Sequence, residues 1–171
     1  SSDLAIDGGT DTPGFLSSVG GYGYAVFYNG TFTFKYGFPS DNLQGIKYDL
    51  QALEEQVPAW SENVANIKHV VFDEHFDKVD VKTCYAWFSG CINLLTIDGL
   101  GNLKTDNVTN MYRMFEQCEK LQSIDLSNFE TTNVTTFAAM FSGCSGLSSL
   151  DVTPLVTDNA LNMRGMFSHC S

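Results

Sequence analysis

The chain has few basic residues and few histidines. Its 171 residues include 9 Lys and Arg against 20 Asp and Glu, which gives a net charge of −11, and only 3 His. Nucleic acids and anionic membrane surfaces are bound through clustered Lys and Arg, and this sequence contains no such cluster. The composition therefore excludes nucleic acid as a partner and suits a secreted or surface-exposed protein.

Segments that would place the chain in a membrane are also missing. The sequence has no run of about 18 apolar residues, so we expect no membrane insertion within this chain. The first residues, SSDLAIDGGTDTPGF, do not combine a basic segment with an apolar one. They predict a flexible N-terminal segment over residues 1–21.

The short motifs of common enzymes and metal sites do not occur. There is no G-x-S-x-G, H-E-x-x-H or Walker sequence, and the five cysteines form no C-x-x-C pair. His69, His75 and His169 have no cysteine or carboxylate at ligand spacing. We therefore expect no catalytic residue, metal or cofactor. An enzyme site within residues 1–64 is the alternative, although that region has no His, no Cys and no nucleophile paired with a base.

What the chain does contain is a recurring twelve-residue phrase. It reads NVTNMYRMFEQC at 107–118, NVTTFAAMFSGC at 133–144 and NALNMRGMFSHC at 159–170. Alignment on the last cysteine divides the chain into four units, which are residues 65–91, 92–118, 119–144 and 145–170. Periods of about 20–29 residues with regular Leu and Ile are typical of leucine-rich-repeat solenoids.

Each unit predicts a strand followed by a helix. The early segments IKHVVF, LLTID, LQSIDL and LSSLDV alternate apolar with other residues, which indicates strands. In the recurring phrase the apolar residues fall three or four positions apart, which indicates one face of a helix. In the second unit these residues are Val108, Met111, Met114, Phe115 and Cys118. Asn107, Asn133 and Asn159 would cap the helices by accepting a hydrogen bond from a free N–H.

These elements predict an α/β fold of the leucine-rich-repeat type, a strand–helix solenoid of units of about 26 residues over residues 65–171. Strands stack about 4.8 Å apart and packed helices about 8–10 Å apart, so the solenoid would curve with its strands inside. Cysteines on helices so far apart could not form disulfides, and Cys84 and Cys91 on one helix could not pair either. We therefore expect free, buried thiols.

Residues 22–64 predict an N-terminal cap built on a β-hairpin. The segment YGYAVFYNGTFTFKYG has two aromatic-rich runs around Asn29-Gly30, and Asn-Gly is the strongest short-range hairpin signal. With IKYDLQAL and Trp60, the hairpin would cover the apolar surface of the first unit. At the other end we expect the array to continue beyond Ser171 or to be covered by another chain.

The outward face of the predicted strands holds the candidate ligand-binding residues. If Ile124 and Leu126 point inward, their neighbours point outward, because side chains alternate along a strand. The aligned outward columns are Thr96, Ser123 and Ser149, and Asp98, Asp125 and Asp151. Carboxylates stacked about 5 Å apart repel, so they would suit a cationic, carbohydrate or protein partner. The alternative is that each Asp is solvated or hydrogen-bonds the following turn.

The repeats also resemble a known family. The phrases YAVFYNGTFTFKYG, IKHVVFDEHF and LQSIDLSNFETTNVTTFAAMFSGC are similar to those of BspA-like leucine-rich-repeat bacterial surface proteins. Unit 119–144 fits nearly throughout, whereas unit 145–170 departs at Pro154 and at Ala160-Leu161.

The resemblance implies a secreted or cell-surface (bacterial cell-envelope) location and a non-enzymatic role in adhesion or partner binding. The expected partner is a host or extracellular-matrix protein or a glycan. The alternative is that the units are structural spacer repeats in a longer surface protein, with the binding function elsewhere.

Overall fold

The computed structural model describes residues 20–50 and 56–171, so the predicted flexible segment lies almost wholly outside the described part. Five strands form one mixed sheet in the order β3-β1-β2-β4-β5. The strands are β1 (Tyr22–Tyr28), β2 (Thr31–Gly37), β3 (Ile46–Asp49), β4 (His69–Phe72) and β5 (Thr96–Asp98). Short 3₁₀ helices lie at Ala59–Asn66, Glu74–Lys78 and Leu100–Asn102.

The predicted hairpin is confirmed. β1 and β2 pair antiparallel from Tyr22 opposite Gly37 to Tyr28 opposite Thr31. The two turn residues both have positive φ, 48° at Asn29 and 80° at Gly30. A two-residue turn with that geometry matches the twist of the flanking strands, which is why Asn-Gly closes this hairpin.

The hairpin is joined to the repeat units through parallel pairing. Phe32 of β2 lies opposite Val70 of β4, and Val70 lies opposite Ile97 of β5. The alignment of the units on their last cysteine predicts this pairing of Val70 with Ile97, because each lies 21 residues before that cysteine, and the structure confirms it. Because β2 pairs with the strand of the first unit, the hairpin covers that end of the repeats, as a cap would.

An aromatic cluster fills the junction between hairpin and repeats. Phe34 stacks on Phe72 with ring centroids 4.5 Å apart, and on Trp87 at 5.0 Å. Trp60 is fully buried, and its Nε1–H donates a 2.7 Å hydrogen bond to the carbonyl of Trp87. A buried indole needs such an acceptor, so Trp60 is fixed against the first unit.

The predicted helices over the recurring phrases are wrong, because the described residues contain no α-helix. The phrases form overlapping turns, in which Met114, Glu116 and Cys118 donate their N–H groups to carbonyls three residues earlier. Residues with positive φ recur four positions apart, a conformation that an α-helix excludes. They are Ala86 and Gly90, Arg113 and Gln117, Ala139 and Gly143, and Gly165 and His169.

Backbone hydrogen bonds join successive units along these turns. Arg113, Phe115 and Gln117 donate their N–H groups to the carbonyls of Ala138, Met140 and Ser142 in the next unit. The same pattern links the first unit to the second and the third to the fourth, and isolated parallel bridges align Thr83, Asn110, Thr136 and Asn162. Successive backbone N–H groups thus alternate between a hydrogen bond within the turn and one to the next unit. In an α-helix, every interior N–H would bond within the helix. We call residues 83–91, 110–118, 136–144 and 162–170 the turn side.

A column of stacked phenyl rings runs through the turn side. The centroids of Phe88 and Phe115 are 5.6 Å apart, those of Phe115 and Phe141 5.6 Å, and those of Phe141 and Phe167 5.7 Å. Packed helices would separate such rings by about 8–10 Å. The predicted α/β leucine-rich-repeat-type solenoid is therefore wrong: the chain forms a small, mostly sheet-based domain whose repeats are stacked turns.

Strands are confirmed in the first two units and absent from the last two. No strand forms over residues 121–126 or 147–152, and exposure does not alternate strictly there, because Gln122 and Ser123 are both exposed, as are Asp151 and Val152. Backbone groups in these segments bond locally: Phe129 N–H donates to Leu126 and Leu155 N–H to Val152. These two segments therefore lack both a ladder between strands and a strict alternation of buried and exposed side chains.

The five cysteines are free thiols, as predicted, and all but the half-buried Cys170 are buried. The reason given by the sequence was wrong, because no helices separate them. Instead the thiols of Cys118, Cys144 and Cys170 donate to the carbonyls of Phe88, Phe115 and Phe141 in the preceding unit, at 3.4, 3.0 and 3.0 Å. The column contributes weak hydrogen bonds between units.

The asparagines Asn107, Asn133 and Asn159 do not cap helices, as the sequence predicted, but donate hydrogen bonds to the preceding unit. The Nδ2 groups of Asn133 and Asn159 each donate a 2.7 Å hydrogen bond to the preceding unit, to the carbonyls of Asp106 and Thr132. Asn107 donates to the carboxylate of Asp80 at 2.9 Å. These side chains connect units, which explains why Asn recurs at this position.

Candidate functional site

One face of the sheet is mostly polar and at least partly exposed where the repeats begin. Phe32, Val70 and Phe72 point into the core, so their neighbours point outward, because side chains alternate along a strand. The outward residues align across the sheet as Thr31, His69 and Thr96 in one row and Thr33, Val71 and Asp98 in the next. We call this surface, continued by the exposed Ser123, Asp125, Ser149 and Asp151, the sheet-side face.

Two side-chain contacts cross this face. Nδ1 of His69 lies 2.9 Å from Oγ1 of Thr96, at hydrogen-bond distance. Near the end of β2, Lys35 Nζ lies 3.4 Å from a carboxylate oxygen of Asp73. The backbone N–H of His75, followed by the charge of Lys35, lowers the pKa of the Asp73 carboxyl. Asp73 is therefore ionised and held in place. The two rows themselves carry the hydroxyls of Thr31, Thr33 and Thr96, the imidazole of His69 and the carboxylate of Asp98.

The structure places the predicted binding residues on one side of the repeats but not in one sheet. Thr96 and Asp98 lie on β5, beside His69 and Val71 of β4. The other predicted residues are exposed and lie outside the strands. They are Ser123, Asp125, Ser149 and Asp151. Among residues 56–171, no hydrogen bond joins Asp98, Asp125 and Asp151 to one another, so their carboxylates are presented separately.

Two of the three aspartates hydrogen-bond the turn that follows, as the alternative interpretation expected. Oδ1 of Asp125 accepts from Ser127 N–H at 3.0 Å. Oδ1 of Asp151 accepts from the N–H and the hydroxyl of Thr153, at 2.9 and 2.7 Å. These bonds lower the pKa of both carboxyls, because hydrogen bonds from side chain and backbone favour the charged form. Both carboxylates still have exposed oxygen surface for a ligand.

The sequence missed the contributions of the hairpin to this face. Thr31, Thr33 and Lys35 belong to this face because β2 pairs parallel with β4. Lys35 and its partner Asp73 are 38 residues apart in the sequence, and no short motif predicts a parallel pairing over that separation. The contact between His69 and Thr96 had a usable signal, because the unit alignment places the two residues in one column.

The buried thiols have little chemical reactivity. Burial raises the pKa of Cys91 and of Cys144 to about 12, and that of Cys84 and Cys118 well above its ordinary value. The thiolate is the nucleophile, so these side chains stay protonated and unreactive at neutral pH. Within residues 20–50 and 56–171, no three His, Cys, Asp or Glu side chains form a group that could hold a metal ion.

None of the helices in the described part of the chain is long and apolar enough to span a membrane.

A capping sheet followed by stacked repeat units and an exposed polar face defines a repeat-based domain. Residues 52–171, more than half of the chain, match the family model described as "Mycoplasma protein of unknown function, DUF285", and the chain belongs to this family. A comparison with curated proteins found no match. A comparison with solved structures found none either.

Proposed function

We propose that this chain is a non-enzymatic binding or adhesion module, secreted or displayed on a bacterial cell surface, that holds its partner on the sheet-side face. The partner is a host or extracellular-matrix protein or a glycan. The observation that carries the proposal is the outward column of Asp98, Asp125 and Asp151, one in each of the last three units and all exposed.

The three aspartates of the column do not hold the units together, which supports assigning binding to this face. The carboxylates of the column contribute no hydrogen bond that joins the units, whereas the turn side holds the units together. Within residues 56–171 the carboxylates make no hydrogen bond to one another, and those of Asp125 and Asp151 bond only to their own turns, so the stack does not depend on them and a partner can contact them. The resemblance of the repeats to BspA-like surface proteins points to the same extracellular role.

The composition narrows the chemistry of the partner. With a net charge of −11, the chain attracts partners that carry a positive patch and repels polyanions. The hydroxyls of Thr31, Thr96, Ser123 and Ser149 lie beside the carboxylates on the same face. Neighbouring hydroxyls and carboxylates form hydrogen bonds with sugar hydroxyls or with Lys and Arg side chains.

The test is a matrix-protein and glycan array probed with the purified chain and two triple variants. Asp98→Asn/Asp125→Asn/Asp151→Asn alters the column, and Asp77→Asn/Asp106→Asn/Asp158→Asn alters three exposed carboxylates that lie off the face. Both variants have the same net charge, so a general electrostatic effect would weaken them equally. We expect the first variant to lose its array signal and the second to keep it.

Other outcomes would decide against the proposal. Equal loss in both variants would mean that the charge of the whole chain, and not this face, attracts the partner. Silence of the unaltered chain across the array would favour the spacer role.

A further inference from the structure

One side of the fourth unit is open, at the opposite end of the array from the hairpin. Positions that a following unit covers in the earlier units are exposed here. Phe115 and Phe141 are fully buried, whereas Phe167, the next ring of the column, is 47% exposed. Met111 is likewise 0% exposed, and its equivalent Met163 is 44% exposed. We call this surface the open face; it consists of Thr157, Met163, Gly165, Phe167 and His169.

The open face carries a row of free backbone donors. In the second and third units, four alternate N–H groups donate to carbonyls of the following unit, those of Met111, Arg113, Phe115 and Gln117 and those of Phe137, Ala139, Phe141 and Gly143. The equivalent N–H groups of the fourth unit have no hydrogen-bond partner among residues 20–50 and 56–171; they belong to Met163, Gly165, Phe167 and His169. An open edge of this kind is a template for pairing with another chain.

A backbone acceptor accompanies these donors. Leu161 donates its N–H to the carbonyl of Thr135, and Thr135 donates to that of Thr109. The Leu161 carbonyl is next in this series and accepts no hydrogen bond in the described part of the chain. An occupant in the same register must therefore supply one N–H and then, from the following residue onward, carbonyls at every second residue.

A hydroxyl extends the same pattern. Oγ1 of Thr105 accepts from Glu130 N–H, and Oγ1 of Thr131 accepts from Val156 N–H, each in the following unit. Both threonines are buried, whereas their equivalent Thr157 is exposed. Thr157 therefore offers an acceptor to an N–H of an added unit.

A second copy of this chain does not match the open face. Two open faces related by a two-fold axis would bring the row of N–H donors of one copy against that of the other, with the Leu161 carbonyl as a single acceptor. In a head-to-tail contact, Phe167 N–H would meet the carbonyl of Trp87. That carbonyl already accepts a 2.7 Å hydrogen bond from the buried Trp60 indole, so the cap occupies this place.

We propose that the open face binds a repeat unit of another protein that is built on the same twelve-residue phrase and is not covered by a hairpin cap. The fourth unit itself meets the third in the required order of one N–H followed by alternate carbonyls. A phenyl ring of the added unit would stack on Phe167 as Phe167 stacks on Phe141. Addition of a segment to an exposed backbone edge is an established mode of recognition.

The probe is a synthetic peptide with the sequence of residues 119–144, and its control is a peptide of the same residues in scrambled order. Each is titrated into the isotope-labelled full chain while amide NMR signals are followed. We expect the first peptide to bind saturably with a Kd of about 0.1–1 mM, because it must order itself on binding.

Hydrogen exchange of the bound chain tests the register. Protection should rise at alternate residues, which are Met163, Gly165, Phe167 and His169. It should change little at the residues between them, whose N–H groups already bond within their own turn; these are Arg164, Met166 and Ser168.

Two matched lysine variants of the full chain test the location. Phe167→Lys places a charge in the contact and should weaken binding at least about tenfold. Leu161→Lys adds the same charge at a side chain that is 88% exposed and whose equivalents, Thr109 and Thr135, stay exposed beside a following unit. It should change the affinity less than about twofold.

Thr157→Val gives a second variant that leaves the fold intact, because the Thr157 hydroxyl makes no hydrogen bond in the described residues. Loss of this acceptor should weaken binding roughly fivefold. The inference is overturned if no saturable binding occurs, if the scrambled peptide binds equally well, or if the two lysine variants behave alike. Protection spread evenly over residues 163–169 would also contradict it, because the alternating hydrogen bonds would then be absent.

Discussion

The turn side and the sheet-side face belong to the same repeat units, yet they use their polar groups in opposite ways. On the turn side, backbone donors and thiols bond to the neighbouring unit, so that each unit holds the next. On the sheet-side face beyond β5, the aspartates bond only to their own turn. The aspartates of the last two units therefore lie outside the hydrogen bonds that join the units.

The first prediction concerns the interior of the turn side, where we expect the largest effect. Phe115 is fully buried between two rings, whereas Phe167 in the last unit is 47% exposed. Phe115→Ala should lower the free energy of unfolding by about 3–5 kcal/mol, through lost burial and the cavity left behind. Phe167→Ala, its matched control, should cost only about 1 kcal/mol. Chemical denaturation measures both, and equal losses would contradict the stacked column.

The second prediction concerns a buried hydroxyl that links two units. Thr131 is fully buried, and its Oγ1 accepts from Val156 N–H at 2.7 Å and donates to the Val156 carbonyl at 3.0 Å. Thr131→Val keeps the shape but leaves two backbone groups without a partner, which should cost about 1–2 kcal/mol. The neighbouring exposed Thr132→Val should change stability by less than about 0.5 kcal/mol. If the two variants match, the hydroxyl does not link the units.

The third prediction, the smallest effect, lies on the sheet-side face. The hydrogen bonds from Thr153 lower the pKa of the Asp151 carboxyl in the folded state. Their contribution to stability is therefore present when the pH is above the ordinary carboxyl pKa, and it is lost as the pH falls through the lowered pKa of the folded state. Thr153→Ala should raise the pKa of Asp151 towards its ordinary value, as followed by NMR titration, and lower the unfolding midpoint at neutral pH only slightly, because the backbone N–H at position 153 still donates to Asp151. An unchanged pKa, or marked destabilisation at neutral pH, would refute a purely local role.

The hairpin and the alignment of the units were predictable because their signals are local or periodic. Asn29-Gly30 marks a turn by its own conformational preference. The recurring phrase fixed the register that brings His69 beside Thr96. The parallel pairing of β2 with β4 could not be predicted, since it joins distant segments that no short motif connects.

The helices were predicted wrongly because two structures share one apolar spacing. Overlapping turns with a positive φ at every fourth residue bury the same positions as one face of a helix. A signal against the helix was present: Gly143 and Gly165 lie inside two of the three phrases, and Gly90 lies at the equivalent place in the first unit. Gly is disfavoured in helix interiors. The aspartate column was predicted correctly as exposed, although its residues lie outside the strands after β5.

The measurement that tests the account most directly is the effect of glycine at two adjacent alanines of one phrase. Ala139 has a φ of 54°, which is strained for a residue with a Cβ, whereas Ala138 is not among the residues with positive φ. Stacked turns predict that Ala139→Gly raises the free energy of unfolding by about 0.5–1 kcal/mol and that Ala138→Gly lowers it by a similar amount. A helix predicts that both lower it by about 1 kcal/mol. Stabilisation by Ala139→Gly alone would support stacked turns, and equal destabilisation by both variants would contradict them.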